Sequence, residues 1–210
     1  MECLPTGPLH TNVYLLSSQK EAVVVDPALG SFNKVSVLLE KRGLKLTAVW
    51  ITHSHWDHVA DCRRFVDEYA VHVYVHKLDA DNLIHPGSDG IPSWVPIQPV
   101  ENATFVADGE KLRCGDQEWE VIHTPGHSLG SVCFYNEHDG RLISGDTLFK
   151  GTMGNVSFPT SDPDLMNATL RRLGQLPPET EVYPGHGSST SIQQEQSWMA
   201  RASSPEQRLS

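Results

Sequence analysis

The feature that most constrains this chain is the stretch Thr52-His53-Ser54-His55-Trp56-Asp57-His58, where three imidazoles and a carboxylate follow directly on the apolar run Leu46 to Ile51. A strand that ends in such a cluster delivers ligands to the rim of a sheet. His53 and His55 are two apart, so in extended backbone both side chains leave the same face and can meet on one ion. Asp57 and His58 open a stretch whose apolar residues Val59, Cys62, Val66 and Tyr69 fall at helical spacing, which predicts a helix from Asp57 to about Tyr69. One short loop can therefore feed two neighbouring metal sites. A His-rich surface loop is the bland alternative, and it fits a lone His-x-His better than this fuller cluster.

Further on, other strand ends carry the same kind of residue. Gln117 to Ile122 reads as the second strand of a hairpin and runs into His123-Thr124-Pro125-Gly126-His127-Ser128. Ser131 to Tyr135 and Arg141 to Ser144 form another hairpin that ends in Gly145-Asp146-Thr147, and Thr180 to Tyr183 delivers Pro184-Gly185-His186-Gly187. Around these, Thr11 to Ser17 and Glu21 to Asp26 read as a hairpin across Ser18-Gln19-Lys20. Ser31 is a plausible N-cap for a helix that Gly43 stops. The strictly alternating Val71 to His76 completes a strand-helix-strand order that implies parallel pairing and an α/β core. Ser161-Asp162-Pro163-Asp164 opens a helix with a cap and Pro at its first position, and Ser191 with Gln194 reads as a capping box for a last helix through about Met199. His72 and His76, on one strand face, read as ordinary polar positions, as do His10, His85 and His138 in their turns. The Pro- and Gly-rich segment 79–103 reads as a loop bordering the site, with Ile91 and Trp94 as apolar wall residues.

Together the strings H-x-H-x-D-H, H-T-P-G-H-S, G-D-T and P-G-H-G resemble the signature of the metallo-β-lactamase superfamily. The resemblance runs from Thr11-Asn12-Val13-Tyr14 to Gly187. It implies a four-layer αββα sandwich with the metal site at one rim of the sheets. It also implies a ligand set of His53, His55 and His127 for one ion, Asp57, His58 and His186 for the other, and Asp146 bridging. His123 then supports or is purely structural. Asp26 resembles the aspartate that braces the metal loop in this superfamily, and a turn carboxylate before Pro27 is the equal alternative. Asp57 and Asp146, the two carboxylates, carry the catalytic expectation. Two dications less two carboxylates and one hydroxide leave a net positive site, which lowers the pKa of bound water towards about 7. Imidazole and carboxylate donors suit two divalent ions, with zinc the default and iron or manganese the alternatives.

Length and charge agree with this. The chain of 210 residues is read as a single domain, residues 1–210, with a polar tail from about 202 that is expected to fray. A formal charge of -10 with no Lys/Arg cluster argues against a nucleic-acid or anionic-membrane surface, so the expected partner is a small-molecule substrate. The N-terminus lacks a basic start and apolar core, and the reading is a cytoplasmic chain. Cys3, Cys62, Cys114 and Cys133 have no C-x-x-C spacing and read as reduced thiols. Oligomeric state leaves no trace in the sequence.

Within the superfamily, His55-Trp56-Asp57-His58, Gly145 to Phe149 and Leu176 to Thr180 are similar to the glyoxalase II-like branch (hydroxyacylglutathione hydrolase-like), which hydrolyses thioesters such as acylated glutathione. Asn155 stands where relatives place a Lys or Arg against the glutathione carboxylates, and Ser157 stands for a tyrosine. Asp61 replaces a usual glycine, and the chain ends about where those enzymes begin a helical extension. The expectation is a metal-dependent thioester or ester hydrolase with altered glutathione contacts. Beside it stand a lactonase, a persulfide dioxygenase with a single iron, and, weakest, a non-catalytic scaffold.

Overall fold

A computed structural model describes residues 1–202; the rest of the polar tail lies outside the described residues. The first half of the chain runs β1 (Glu2–Thr6), β2 (Thr11–Ser18), β3 (Glu21–Val25), α1 (Ser31–Arg42), β4 (Lys45–Trp50), α2 (Trp56–Val59), α3 (Cys62–Tyr69), β5 (His72–His76), α4 (Ala80–Ile84) and β6 (Ala103–Val106). Its six strands form one sheet in sequence order, antiparallel through β3 and parallel from β3 to β6. The second half supplies β7 (Lys111–Cys114), β8 (Gln117–His123), β9 (Val132–Asn136), β10 (Arg141–Gly145), β11 (Leu148–Phe149), β12 (Thr152–Met153), α5 (Pro163–Leu173), β13 (Glu181–Pro184), β14 (Thr190–Ser191) and α6 (Ile192–Ala202). The second sheet has the order β14-β13-β10-β9-β8-β7, with β10 and β13 its parallel pair.

Three apolar clusters separate four layers. Strand β2 shows why: its alternate residues feed different cores, Val13 and Leu15 packing towards α1 and α3, Tyr14 and Leu16 towards the opposing sheet. Between the sheets Trp50 lies 5.2 Å from Phe134 and 6.3 Å from Trp119, ring centroid to centroid. Burying aromatic rings of this size makes the inter-sheet layer costly to open, about 3–5 kcal/mol for truncation of one to alanine. The third cluster lies under α5 and α6, where Met166, Leu170 and Met199 cover Ile122 and Leu142.

Several local expectations are corrected. The helix expected from Asp57 to Tyr69 is two helices, broken at Ala60-Asp61, because Asp61 turns aside to serve α1. Its carboxylate Oδ2 accepts the Phe32 N–H at 2.9 Å, while its own N–H donates to Pro27 O. Ser31 is therefore not the cap of α1. Gly30 occupies that position in left-handed conformation with no side-chain bond, and the buried Asp61 supplies the acceptor from a distant turn. At the last helix, half of the expected box forms, Ser191 Oγ accepting from Gln194 N at 3.4 Å, while the Gln194 side chain accepts from Thr190 Oγ1 instead of turning back to Ser191. Strands β1 and β6 were not expected from the sequence. Segment 79–103 is largely loop but contains α4.

Candidate metal centre

All the ligand loops open at one rim of the sandwich. Past the end of β4, residues 51–55 run irregularly and are buried, and they set the His53 and His55 rings 4.6 Å apart. His127 arrives from the β8–β9 loop, its ring 4.8 Å from that of His53 and 4.5 Å from that of His55. Asp57 and His58 sit in the single turn of α2, Asp146 follows β10 and His186 follows β13. Ligand atoms of His53, His55 and His127 lie within 4.8 Å of one another, and those of Asp57, His58 and His186 do likewise. Asp146 stands between the two groups. Its Oδ1 is 3.3 Å from His58 Nε2, and its Oδ2 is 3.6 Å from His127 Nε2 and 3.5 Å from His186 Nε2.

The outer ring nitrogens decide which way the lone pairs point. His58 Nδ1 donates to Asp26 Oδ2 at 3.0 Å, His127 Nδ1 to the Asn155 carbonyl at 2.8 Å, and His186 Nδ1 to the Leu9 carbonyl at 3.1 Å. His53 Nδ1 lies 3.1 Å from Thr52 Oγ1, whose proton goes to Asp26 Oδ2. With Nδ1 engaged outward, each of these rings turns its Nε2 towards the centre. The Nε2 atoms of His53, His55 and His127 are buried without a hydrogen-bond partner, and so is Asp146 Oδ1. Orphaned acceptors converging like this are costly in a protein interior, and a dication satisfies the three imidazole nitrogens at once, so the residues fit a metal. The glycines fit as well: a Cβ at Gly185 would collide with Asp146 Oδ1 and lie 2.7 Å from His58 Cε1.

Electrostatically the two groups differ. Burial, reinforced by the neighbouring imidazoles His58 and His55, holds His53 well below its ordinary pKa; burial and His127 bring His55 down to about 3. Burial also lowers His127. Burial pushes His58 and His186 the same way, but Asp57 and Asp146 outweigh it, leaving His58 well above its ordinary value and His186 at about 9. Burial raises Asp57 and Asp146, yet the facing histidines bring Asp57 down to about 2 and Asp146 well below the usual carboxylate range.

Asp26 is a brace. At a left-handed φ of 53°, it accepts from Thr52 N at 2.7 Å as well as from Thr52 Oγ1 and His58. Sequence reasoning passed over other supports. Thr11 Oγ1 donates to Asp57 Oδ2 at 2.7 Å, and Asn12 Nδ2 binds the carbonyls of Pro184 and Gly187, fixing the loop of His186. Phe158 stands edge-on to His55 and His127 at 5.3 and 5.6 Å. Asp79 and Asn82 hold Ser54. A signal existed for Asp79, which lies just past a strand end as the ligands do.

The substrate-side residues are placed differently. Trp94 is 66% exposed, its ring 5.6 Å from that of Trp56, so it caps that indole from outside instead of walling a pocket. Ile91 borders a small cleft beside Trp56 and Ser54. Asn155 and Ser157 are exposed, and the Asn155 side chain accepts from Ser157 N and Oγ at 2.9 and 2.6 Å, while its main-chain carbonyl serves His127. His123 supports: its Nε2 donates to Leu129 O at 2.9 Å and its ring stacks on His76 at 4.1 Å. A cavity of about 190 Å³ opens beside His55, between Leu78, Asp89 and Leu129. A larger depression of about 420 Å³ lies at the other end of β10, around Lys111, Glu118 and His138, where no orphaned donors converge.

Two mixed sheets between helices, with a His/Asp centre at one rim, define a class, and comparison with known proteins places the chain within it. Residues 6–186 match the model of the metallo-beta-lactamase superfamily, and the chain belongs to that family. A probable metallo-hydrolase of Bacillus subtilis, YqgX, is 31% identical over 92% of this chain and 92% of its own length. A hydroxyacylglutathione hydrolase of Vibrio cholerae is 33% identical over 83% of this chain and 60% of its own length. Among solved structures, the BLEG-1 B3 metallo-beta-lactamase superposes with a TM-score of 0.85 at 32% identity, over 93% of this chain and 96% of that one. TTHA1623 in a di-iron-bound form gives 0.82 at 35% identity over the same shares. ETHE1 from Myxococcus xanthus gives 0.78 at 26%, over 96% of this chain and 84% of that one.

Proposed function

We propose that this chain is a binuclear metallohydrolase that opens a thioester or ester of a small molecule. The observation that carries the reading is the set of buried, unpartnered Nε2 atoms on His53, His55 and His127, facing a second group of Asp57, His58 and His186 across Asp146. Two divalent ions held there would make a bound water acidic near neutral pH and polarise a carbonyl. Zinc is the default occupant; the di-iron relative supports iron, and manganese suits the same donors. The chain's own residues orient and shield. Asn155 O, Asp26, Leu9 O and Thr52 fix ring tautomers, Thr11 orients Asp57, and Phe158 covers the flank of His55 and His127 against water.

The relative from Vibrio cholerae supports a thioester of the acylglutathione kind. Against glutathione itself stand Asn155 and Ser157, uncharged and bonded to each other, where the glyoxalase II-like resemblance leads one to expect a cation and a phenol. Each missing charge-assisted contact costs a glutathione carboxylate about 1.5–3 kcal/mol. We therefore expect acylglutathione to be hydrolysed with a high KM, and other activated thioesters or esters to be cleaved as well. The test is a panel of acylglutathione, other thioesters, an acyl lactone and glutathione persulfide, with oxygen uptake recorded throughout. Thioester or ester cleavage without oxygen uptake supports the proposal. Oxygen consumption with the persulfide and no hydrolysis elsewhere overturns it in favour of a dioxygenase.

A further inference from the structure

Asp79 lies three residues beyond β5 and is 5% exposed, yet none of its hydrogen-bond partners is a cation. Its carboxylate is filled by donors from two segments far apart in sequence. Oδ2 accepts from Ser54 N at 2.9 Å and from Ser128 Oγ at 2.9 Å, and Oδ1 accepts from Gly130 N at 2.7 Å. Ser54 sits between His53 and His55, and Ser128 directly follows His127. The fit at Gly130 is close: a Cβ there would collide with Asp79 Oδ1. From the next helix, Asn82 Nδ2 donates to Ser54 O at 2.6 Å, so both main-chain polar groups of Ser54 are held from the segment after β5. Asp79 bonds to none of Asp57, His58 or His186. Their supports are Thr11, Asp26 and Leu9.

Burying a carboxylate with only neutral donors is expensive, and burial raises its pKa. A plain loop staple could be made more cheaply from an amide or a water. What a carboxylate offers is two acceptor oxygens able to draw N–H and O–H donors from both ligand loops onto one point. On the metal-centre reading above, we propose that Asp79 is a positioning residue that sets the spacing of His53 and His55 against His127, and so controls metal affinity in that pocket and not in the one beside it.

The experiment is a zinc titration of the full chain after chelator treatment, by calorimetry, with ¹⁵N-resolved imidazole resonances reporting which histidines respond at each step. Asp79→Asn should raise the Kd of the step seen by His53, His55 and His127 about 10- to 100-fold. The step seen by His58 and His186 should change less than about threefold. Ser128→Ala, which removes one of the four bonds to the Asp79 carboxylate, should move the same step in the same direction by less. Thr11→Val, which releases Asp57, should do the reverse and weaken only the other step. Equal weakening of both steps by Asp79→Asn, or no change in either, overturns the inference, since a merely structural staple has no reason to prefer one pocket. If Asp79→Asn loses its circular-dichroism signature of folding, Ser128→Ala decides by the same criterion. A wild-type chain that takes up no zinc is a failure of the metal-centre reading itself, and the inference falls with it.

Discussion

The two halves of the centre share one rim and stand on either side of Asp146, but they are built on opposite electrostatic terms. The half formed by His53, His55 and His127 is a pocket of neutral imidazoles: burial lowers their pKa and their inner nitrogens have no hydrogen-bond partner. In the half formed by Asp57, His58 and His186, carboxylates raise the pKa of both imidazoles, so that a proton is held between the facing Nε2 atoms, 3.3 Å apart, and the acids. The first half is preorganised for a cation and has no cheaper way to satisfy itself. The second can satisfy itself with protons, so an ion must displace them. On the two-ion proposal, such a site would have one ion that geometry secures and one that charge and pH control.

The strongest way to break this contrast is to remove what the halves share. Asp146→Ala should cost both ions and lower kcat/KM at least about 100-fold, whereas His72→Ala, at an exposed strand position, should change neither. Metal analysis beside steady-state kinetics checks it, and equal retention in the two variants contradicts the bridging role. Asp57→Asn should act on one half only, weakening the second ion about 10- to 100-fold and cutting turnover while circular dichroism stays native. Full occupancy with unchanged turnover would exclude it.

A pH series sharpens the contrast further. Without an ion, the His186 proton stabilises the fold below the ordinary histidine pKa, and that contribution is lost as pH rises through about 9. Metal affinity in the His58/His186 half should therefore climb with pH between about 6 and 9, about tenfold per unit for each proton displaced. The three-histidine half, with His55 down at about 3, should be flat over that range. Two equal slopes would erase the distinction. The smallest effect expected is at the substrate side. Asn155→Arg keeps the carbonyl that holds His127 and adds a cation, so KM for acylglutathione should fall a few-fold, about 1 kcal/mol, with kcat little changed. A change in kcat as large as that in KM would show that the substitution disturbs His127.

Much of this was legible because ligands advertise themselves by chemistry and spacing. Three histidines and an aspartate after an apolar strand, a histidine after a Pro-Gly turn, and acids or histidines at later strand ends can be read without coordinates. The residues that were not legible act through main-chain groups across long sequence separations. Asp79 binds Ser54 and Ser128 from 25 and 49 residues away, and no local pattern encodes that. Asp61, an unexplained departure from the usual glycine, proves to cap α1 across 29 residues, and in doing so it splits a helix that periodicity reads as continuous. Trp94 misled for the opposite reason. Its apolar bulk points to a pocket wall, but tertiary packing gives it Trp56 to lean on and leaves most of it in water.

The number of metal ions per chain separates a two-ion centre with unequal halves from a one-ion centre most directly. Protein purified without chelator and analysed for zinc, iron and manganese should carry two ions, and brief dialysis near pH 5 should remove one, the ion of the protonatable half, before the other. A reproducible value near one ion before dialysis, or loss of both together, would contradict the account.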